Sequence, residues 1–227
     1  MTSIKVTFFG SSTAGKTAII KRYIKHYFQE NYEPTIEDSY NTQISVEGFS
    51  VHAKIVDTSG EDDFQLLRER EFLDSDYVVF VFSLSDEMTF RHAQENIGNC
   101  LSSVIKSGRT KYPTVIICGN KADLIERRRV EEEDITKLYT KIGMICPCAV
   151  INVSAKENTN LDKLFDYFAT GVSQPFSNET DPKTPRSGRI VKPVVSLSVQ
   201  EMHELGETKR RSRFIAFFSP RKRGIKY

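Results

Sequence analysis

The sequence predicts an α/β fold in three layers, a mostly parallel sheet with helices on both faces. Three observations carry that expectation. Short apolar runs rich in β-branched and aromatic residues recur along the chain, stretches with helical spacing separate them, and a glycine loop follows the first run.

In chain order, Ile4 to Gly10 (IKVTFFG) reads as a strand buried on both faces, and the loop from Gly10 opens a helix. Residues 41–60 (NTQISVEGFSVHAKIVDTSG) hold two alternating runs that meet at Glu47 and Gly48, the pattern of a hairpin at a sheet edge. Tyr77 to Leu84, Thr114 to Asn120 and Ala149 to Ala155 read as further buried strands. Ala93, Ile97, Cys100, Leu101, Val104 and Ile105 fall on one face of a helix, as do Leu161, Leu164, Phe165 and Phe168. After about Gly171 the periodicity stops and Pro, Ser, Thr and charged residues dominate. Residues 1–172 are therefore read as one folded domain, 173–208 as a polar linker expected to be disordered, and 209–227 as a basic tail with aromatics.

At 227 residues and 39% hydrophobic content, the chain has material for one packed domain and an appendage. No run approaches the roughly 18 apolar residues of a spanning helix, and the first residues lack the pattern of a leader, so a cytosolic location is expected. Cys100, Cys118, Cys146 and Cys148 show no metal-binding spacing and are read as reduced, buried thiols. The net charge of +2 conceals a division: residues 1–182 carry 20 Lys and Arg against 27 Asp and Glu, and residues 183–227 carry 12 against 3.

Gly10 to Thr17 (GSSTAGKT) fits GxxxxGK[ST] between a strand and a helix. Backbone N–H groups of such a loop cradle phosphates, Lys16 reaches the β- and γ-oxygens, and the Thr17 hydroxyl takes Mg²⁺. Asn120 to Asp123 (NKAD) follows a buried strand at the carboxyl edge of the sheet. A carboxylate there accepts from N1–H and the exocyclic amine of guanine, a pair that adenine lacks. Ser154, Ala155 and Lys156, after the next strand, supply the third wall of a base pocket.

With these motifs in this order, residues 3–172 resemble small GTPases of the Ras family. Tyr32 to Tyr40 (YEPTIEDSY) resembles the effector loop of Ras and Rap, and Asp57 to Gly60 (DTSG) the second switch. The resemblance implies six strands, one antiparallel at the edge, and about five helices. It implies GTP or GDP with Mg²⁺ as ligands, held by Gly10, Ser11, Ser12, Thr13, Ala14, Gly15, Lys16, Thr17 and Ala18. Phe28 and Lys121 would flank the base beside Asn120 and Asp123. Thr17 and Thr35 would take the metal directly and Asp57 through water, with the Gly60 amide sensing the γ-phosphate. Lys16, Thr35, Gly60 and Glu61 form the expected catalytic set. Implied partners of this monomer are an exchange factor, an activating protein whose type stays open, and effectors that add a strand at Glu37 to Tyr40.

Four positions depart from the pattern. Ser12 and Thr13 stand where Ras has glycine, Ser59 replaces an alanine and Glu61 replaces the glutamine that orients water. Ser12 adds bulk where a catalytic arginine would pack, and Glu61 lacks an N–H donor while adding negative charge. Slow hydrolysis with a bias toward the GTP state follows. Three other readings stay open: Glu61 as a base, an activating protein with its own catalytic group, and a non-hydrolysing, permanently GTP-bound interaction module.

No cysteine follows Cys148 and Thr2 is no acceptor for myristate, so no lipid anchor is expected. Lys209 to Tyr227 instead flanks Phe214, Ile215, Phe217 and Phe218 with two basic clusters, similar to the Rit type of Ras relative. That composition favours an anionic membrane at the inner face of the plasma membrane over nuclear import or nucleic acid.

Overall fold

The computed structural model describes residues 2–30, 33, 35, 37–46, 48–60, 65–108 and 111–171. Glu61, Tyr32 and the sequence from residue 172 onward, including the linker and basic tail, lie outside the described residues.

The elements are β1 (Thr2–Phe9), α1 (Lys16–Lys25), β2 (Glu37–Val46), β3 (Phe49–Thr58), α2 (Gln65–Asp74), β4 (Tyr77–Ser83), α3 (Glu87–Ser107), β5 (Thr114–Asn120), α4 (Glu132–Gly143), β6 (Cys148–Asn152) and α5 (Leu161–Thr170). They build one six-stranded sheet in the order β2-β3-β1-β4-β5-β6. β2 runs antiparallel to β3 at the edge, and the other pairs are parallel. The hairpin turns at Gly48, whose φ of 86° favours a residue without Cβ.

Alternation along each strand feeds two cores. Val6 and Phe8 pack with Ile19, Ile20, Phe165 and Phe168 of α1 and α5. Phe9, Phe80 and Phe82 face Phe72, Ile97 and Leu138 of α2, α3 and α4. β4 is buried along its whole length, the burial that its continuous apolar run anticipates. All four cysteines are buried and free.

α3 starts where Asp86 caps the Met88 N–H at 3.0 Å and stops at Gly108, with φ of 70°. Five of its six expected core positions are buried, whereas Ile105, near the C-terminal end, is partly buried. The expected strand at Ala149 to Ala155 is displaced: β6 runs Cys148–Asn152, and the backbone then leaves the ladder at Ser154, which bridges Thr159. That departure aims residues 154–156 at the ligand edge. Among the described residues, no helix is long and apolar enough to cross a membrane.

The strand order reverses between β1 and β4, so their carboxyl ends leave a crevice where an open α/β sheet receives ligands. The loops after β1 and β5 open onto it.

Candidate functional site

The loop after β1 is shaped by close approach. A Cβ at Gly10 would lie 2.1 Å from the Val81 carbonyl oxygen, and one at Gly15 would lie 2.2 Å from Asn120 Nδ2. Gly15 also has φ of 97°, and Thr13 adopts φ of 64°, a left-handed conformation that β-branched residues avoid. Strain of this kind is found where surrounding structure over-determines a functional loop.

Lys16 starts α1 and is 6% exposed, its ammonium folded back onto the loop. It donates to the Gly10 carbonyl at 2.7 Å and the Ser11 carbonyl at 3.2 Å. Burial lowers its pKa to about 8, against the opposing pull of Asp57. A phosphate oxygen would add counter-charge beside this ammonium.

The loops are tied to one another through Asn120, which is 2% exposed. Its Nδ2 donates to the Ala14 carbonyl at 2.9 Å, and its Oδ1 accepts from the Ala155 N–H at 3.2 Å. One side chain thereby fixes the loop after β1 to the loop after β6. Asp123 is oriented by the Ser154 hydroxyl, which donates to its Oδ1 at 2.6 Å. Lys121 sits at φ of 62°, a turn that brings Lys121 and Asp123 to the same cavity.

That cavity measures about 400 Å³, within the size range of sites for small ligands. Thr13, Gly15, Lys16, Thr17, Ala18, Phe28, Thr35, Gly60, Asn120, Lys121, Asp123, Ala155 and Lys156 line it. Gly10, Ala14, Asp57 and Ser154 are buried outside its lining, where they hold the residues that form it. Ser11 and Ser12 also stand off the lining, and the Ser11 hydroxyl turns away toward His92. The sequence reading overlooked Lys21, Gln29, Glu30, Glu33, Thr58 and Leu124 on the walls. Lys21 follows Thr17 by one helical turn, a spacing that the sequence already showed. The ion pair from Lys156 to Glu30 at 3.6 Å, across the rim, has no local signature.

Chemistry for a divalent cation is present beside Lys16. Asp57 is buried, and its Oδ2 accepts the Thr17 hydroxyl at 2.6 Å, while its Oδ1 has no partner among the described residues. Burial pushes this carboxyl up to about 6, so an added positive charge is what the group needs to stay ionised. The Thr17 and Thr35 hydroxyls are 3.1 Å apart. Neighbouring ligands on an octahedral Mg²⁺ at 2.0–2.1 Å stand about 2.9 Å apart, so these oxygens fit one ion. On the second switch, the Gly60 carbonyl accepts the Ser12 N–H at 3.3 Å, and a Cβ at residue 60 would strike Ser12 backbone. Glu61, which follows, lies outside the described residues.

A sequence model of the Ras family matches residues 5–174. The chain belongs to the Ras family. It is similar to Ras-related protein R-Ras of Homo sapiens, 30% identical over 186 residues that cover 82% of this chain and 81% of that one. Ras-related protein Ral-B of Rattus norvegicus is 31% identical, covering 83% and 88%. Ral-B of Mus musculus is 32% identical over 161 residues. The expected class, a Ras-family GTPase on a six-stranded mixed sheet with five helices, therefore stands. Ras-family GTPases in general bind GTP or GDP with Mg²⁺ and work with effectors, exchange factors and activating proteins.

Proposed function

We propose that this Ras-family GTPase is a signalling switch that holds GTP or GDP with Mg²⁺, hydrolyses GTP slowly and presents residues 32–40 to effectors. The observation that carries the reading is that Lys16, Thr17, Thr35 and Asp123 line one cavity, with the buried Asp57 behind Thr17 and one of its oxygens without a partner among the described residues.

In this reading Asp123, held by Ser154, accepts from the guanine edge, with Phe28 and Lys121 at its faces. The loop amides and Lys16 receive the phosphate oxygens and neutralise charge that grows as water attacks the γ-phosphate in line. Thr17 and Thr35, with Asp57 behind them, would hold Mg²⁺, which would supply positive charge to the phosphates. Thr35 and Gly60 sense the γ-phosphate, because each belongs to a loop that its oxygens hold in place. Glu61 orients the attacking water less well than an amide, since it lacks an N–H donor, and Ser12 narrows the space for an incoming arginine. A permanently GTP-bound module using the same surface is the second reading, favoured by the same two residues. The test is single-turnover hydrolysis by the GTP-loaded full chain. A rate near 10⁻⁴ s⁻¹, the intrinsic scale of such switches, supports cycling. GTP intact after a day leaves the second reading, and a chain that retains no guanine nucleotide removes both.

Effector binding is supported by β2, an edge strand with exposed Glu37 and Asp38 that suits strand addition by a basic partner. For location, the reading is the inner face of the plasma membrane. Lys209 to Tyr227 carries eight cations worth about 1 kcal/mol each near an anionic surface, with Phe214, Ile215, Phe217 and Phe218 between the two basic clusters. Co-sedimentation of the full chain with phosphatidylserine vesicles, lost at 0.5 M salt, supports it. A tagged chain that collects in the nucleus, with no vesicle binding, favours the import signal instead.

A further inference from the structure

The hydroxyl of Ser11 points out of the nucleotide cavity and shares a hydrogen bond of 3.0 Å with Nδ1 of His92 on α3. His92 is followed on the same helical stripe by Asn96 and Ser103. Asn96 Oδ1 accepts from Arg68 at 2.8 Å, and the Ser103 hydroxyl donates to Glu69 at 2.6 Å, both on α2. One polar seam of α3 thus grips the phosphate loop at one end and the helix after the second switch at the other.

The peptide that His92 grips has a second task. The Ser11 carbonyl accepts Lys16 Nζ at 3.2 Å and the Ala14 N–H at 3.2 Å. An ammonium has three donors. Gly10 and Ser11 carbonyls hold two of them, which leaves the third for the cavity that Lys16 lines. The direction of that third donor depends on where the Ser11 peptide sits, and Gly60 packs against the same peptide from the switch side.

We propose that His92 is a positioning residue of the nucleotide site, acting through the Ser11 side chain to fix the carbonyl that aims Lys16 at phosphate. The proposal rests on the guanine-nucleotide reading above and deepens it: nucleotide retention is set partly from α3, outside the cavity. A His92 held by Ser11 keeps the Lys16 donor aligned, and a loop released from α3 lets it wander.

The test loads the full chain with fluorescent GDP and follows release into excess GDP and Mg²⁺ for His92→Ala, Ser11→Ala, the double variant and His92→Asn. Each single alanine variant is expected to release GDP about five-fold faster, the scale of one net hydrogen bond. The double variant is expected to release no faster than either single one, because both remove the same link. Asparagine places an amide atom near the site of Nδ1 and is expected to restore most of the wild-type rate. Unchanged release in Ser11→Ala, additive effects, or no rescue by asparagine overturns the inference while the nucleotide reading stands. A wild-type chain that retains no fluorescent GDP overturns both.

Discussion

Replacing Asn120 by alanine tests the joint that holds the site together. Asn120 spans from the Ala14 carbonyl to the Ala155 N–H, groups that lie in different loops and are themselves buried. Truncation removes both bonds and leaves two buried polar groups without partners, at about 1 to 3 kcal/mol each, so about 3 kcal/mol in total. For a domain of this size that lowers the melting temperature by about 10 °C. The assay is thermal unfolding of the full chain by far-ultraviolet circular dichroism in chelator without nucleotide, since bound ligand would mask the change by mass action. Asn120→Asp is the control: it keeps an acceptor for Ala155 but turns a second oxygen toward the Ala14 carbonyl, so its loss should be at least as large. A shift under 3 °C for the alanine variant would refute the view that this side chain binds the two walls into one unit.

Three further outcomes follow from the same geometry. On the proposed reading, Asp123→Asn puts a donor in place of the acceptor for the guanine amine and should weaken GDP binding on the order of 10³-fold, the scale of two charge-assisted hydrogen bonds, read by equilibrium titration. Thr13→Gly relieves a left-handed backbone of φ 64° and should raise stability by about 1 kcal/mol net of glycine's greater unfolded-state freedom, seen as a higher urea midpoint at unchanged slope. In chelator, burial lets Asp57 hold its proton to about pH 6 in the fold against an ordinary carboxylate value of 3.8, so the folded state binds more protons across that interval. Stability relative to Asp57→Asn is therefore fully present below about pH 4, falls as pH rises toward 6 by roughly 3 kcal/mol, and is level above it; a difference that grows with pH contradicts the burial argument.

α2 and α4 show where sequence reading stopped short. α4 buries Ile135, Leu138, Tyr139 and Ile142 at helical spacing, a signal that was present but not singled out. α2 offers a weaker one, since Phe72 is fully buried but much of its anchorage is polar: Glu71 pairs with Lys5 at 2.7 Å, and Arg68 and Glu69 reach α3.

By itself the sequence determined the class of the fold and the family, because each depends on residue types at short spacing. Strand burial writes itself into continuous apolar runs, and a loop that wraps phosphate must place Gly10, Gly15 and Lys16 within eight residues. Only the tertiary structure decided which distant groups meet: Asn120 with Ala14 across 106 residues, Asp57 with Thr17, Lys156 with Glu30, and His92 with Ser11. Those contacts are made by turns such as the one that lifts Ser154 off β6, and they depend on the packing of whole elements. Neither pattern nor propensity records that packing one residue at a time.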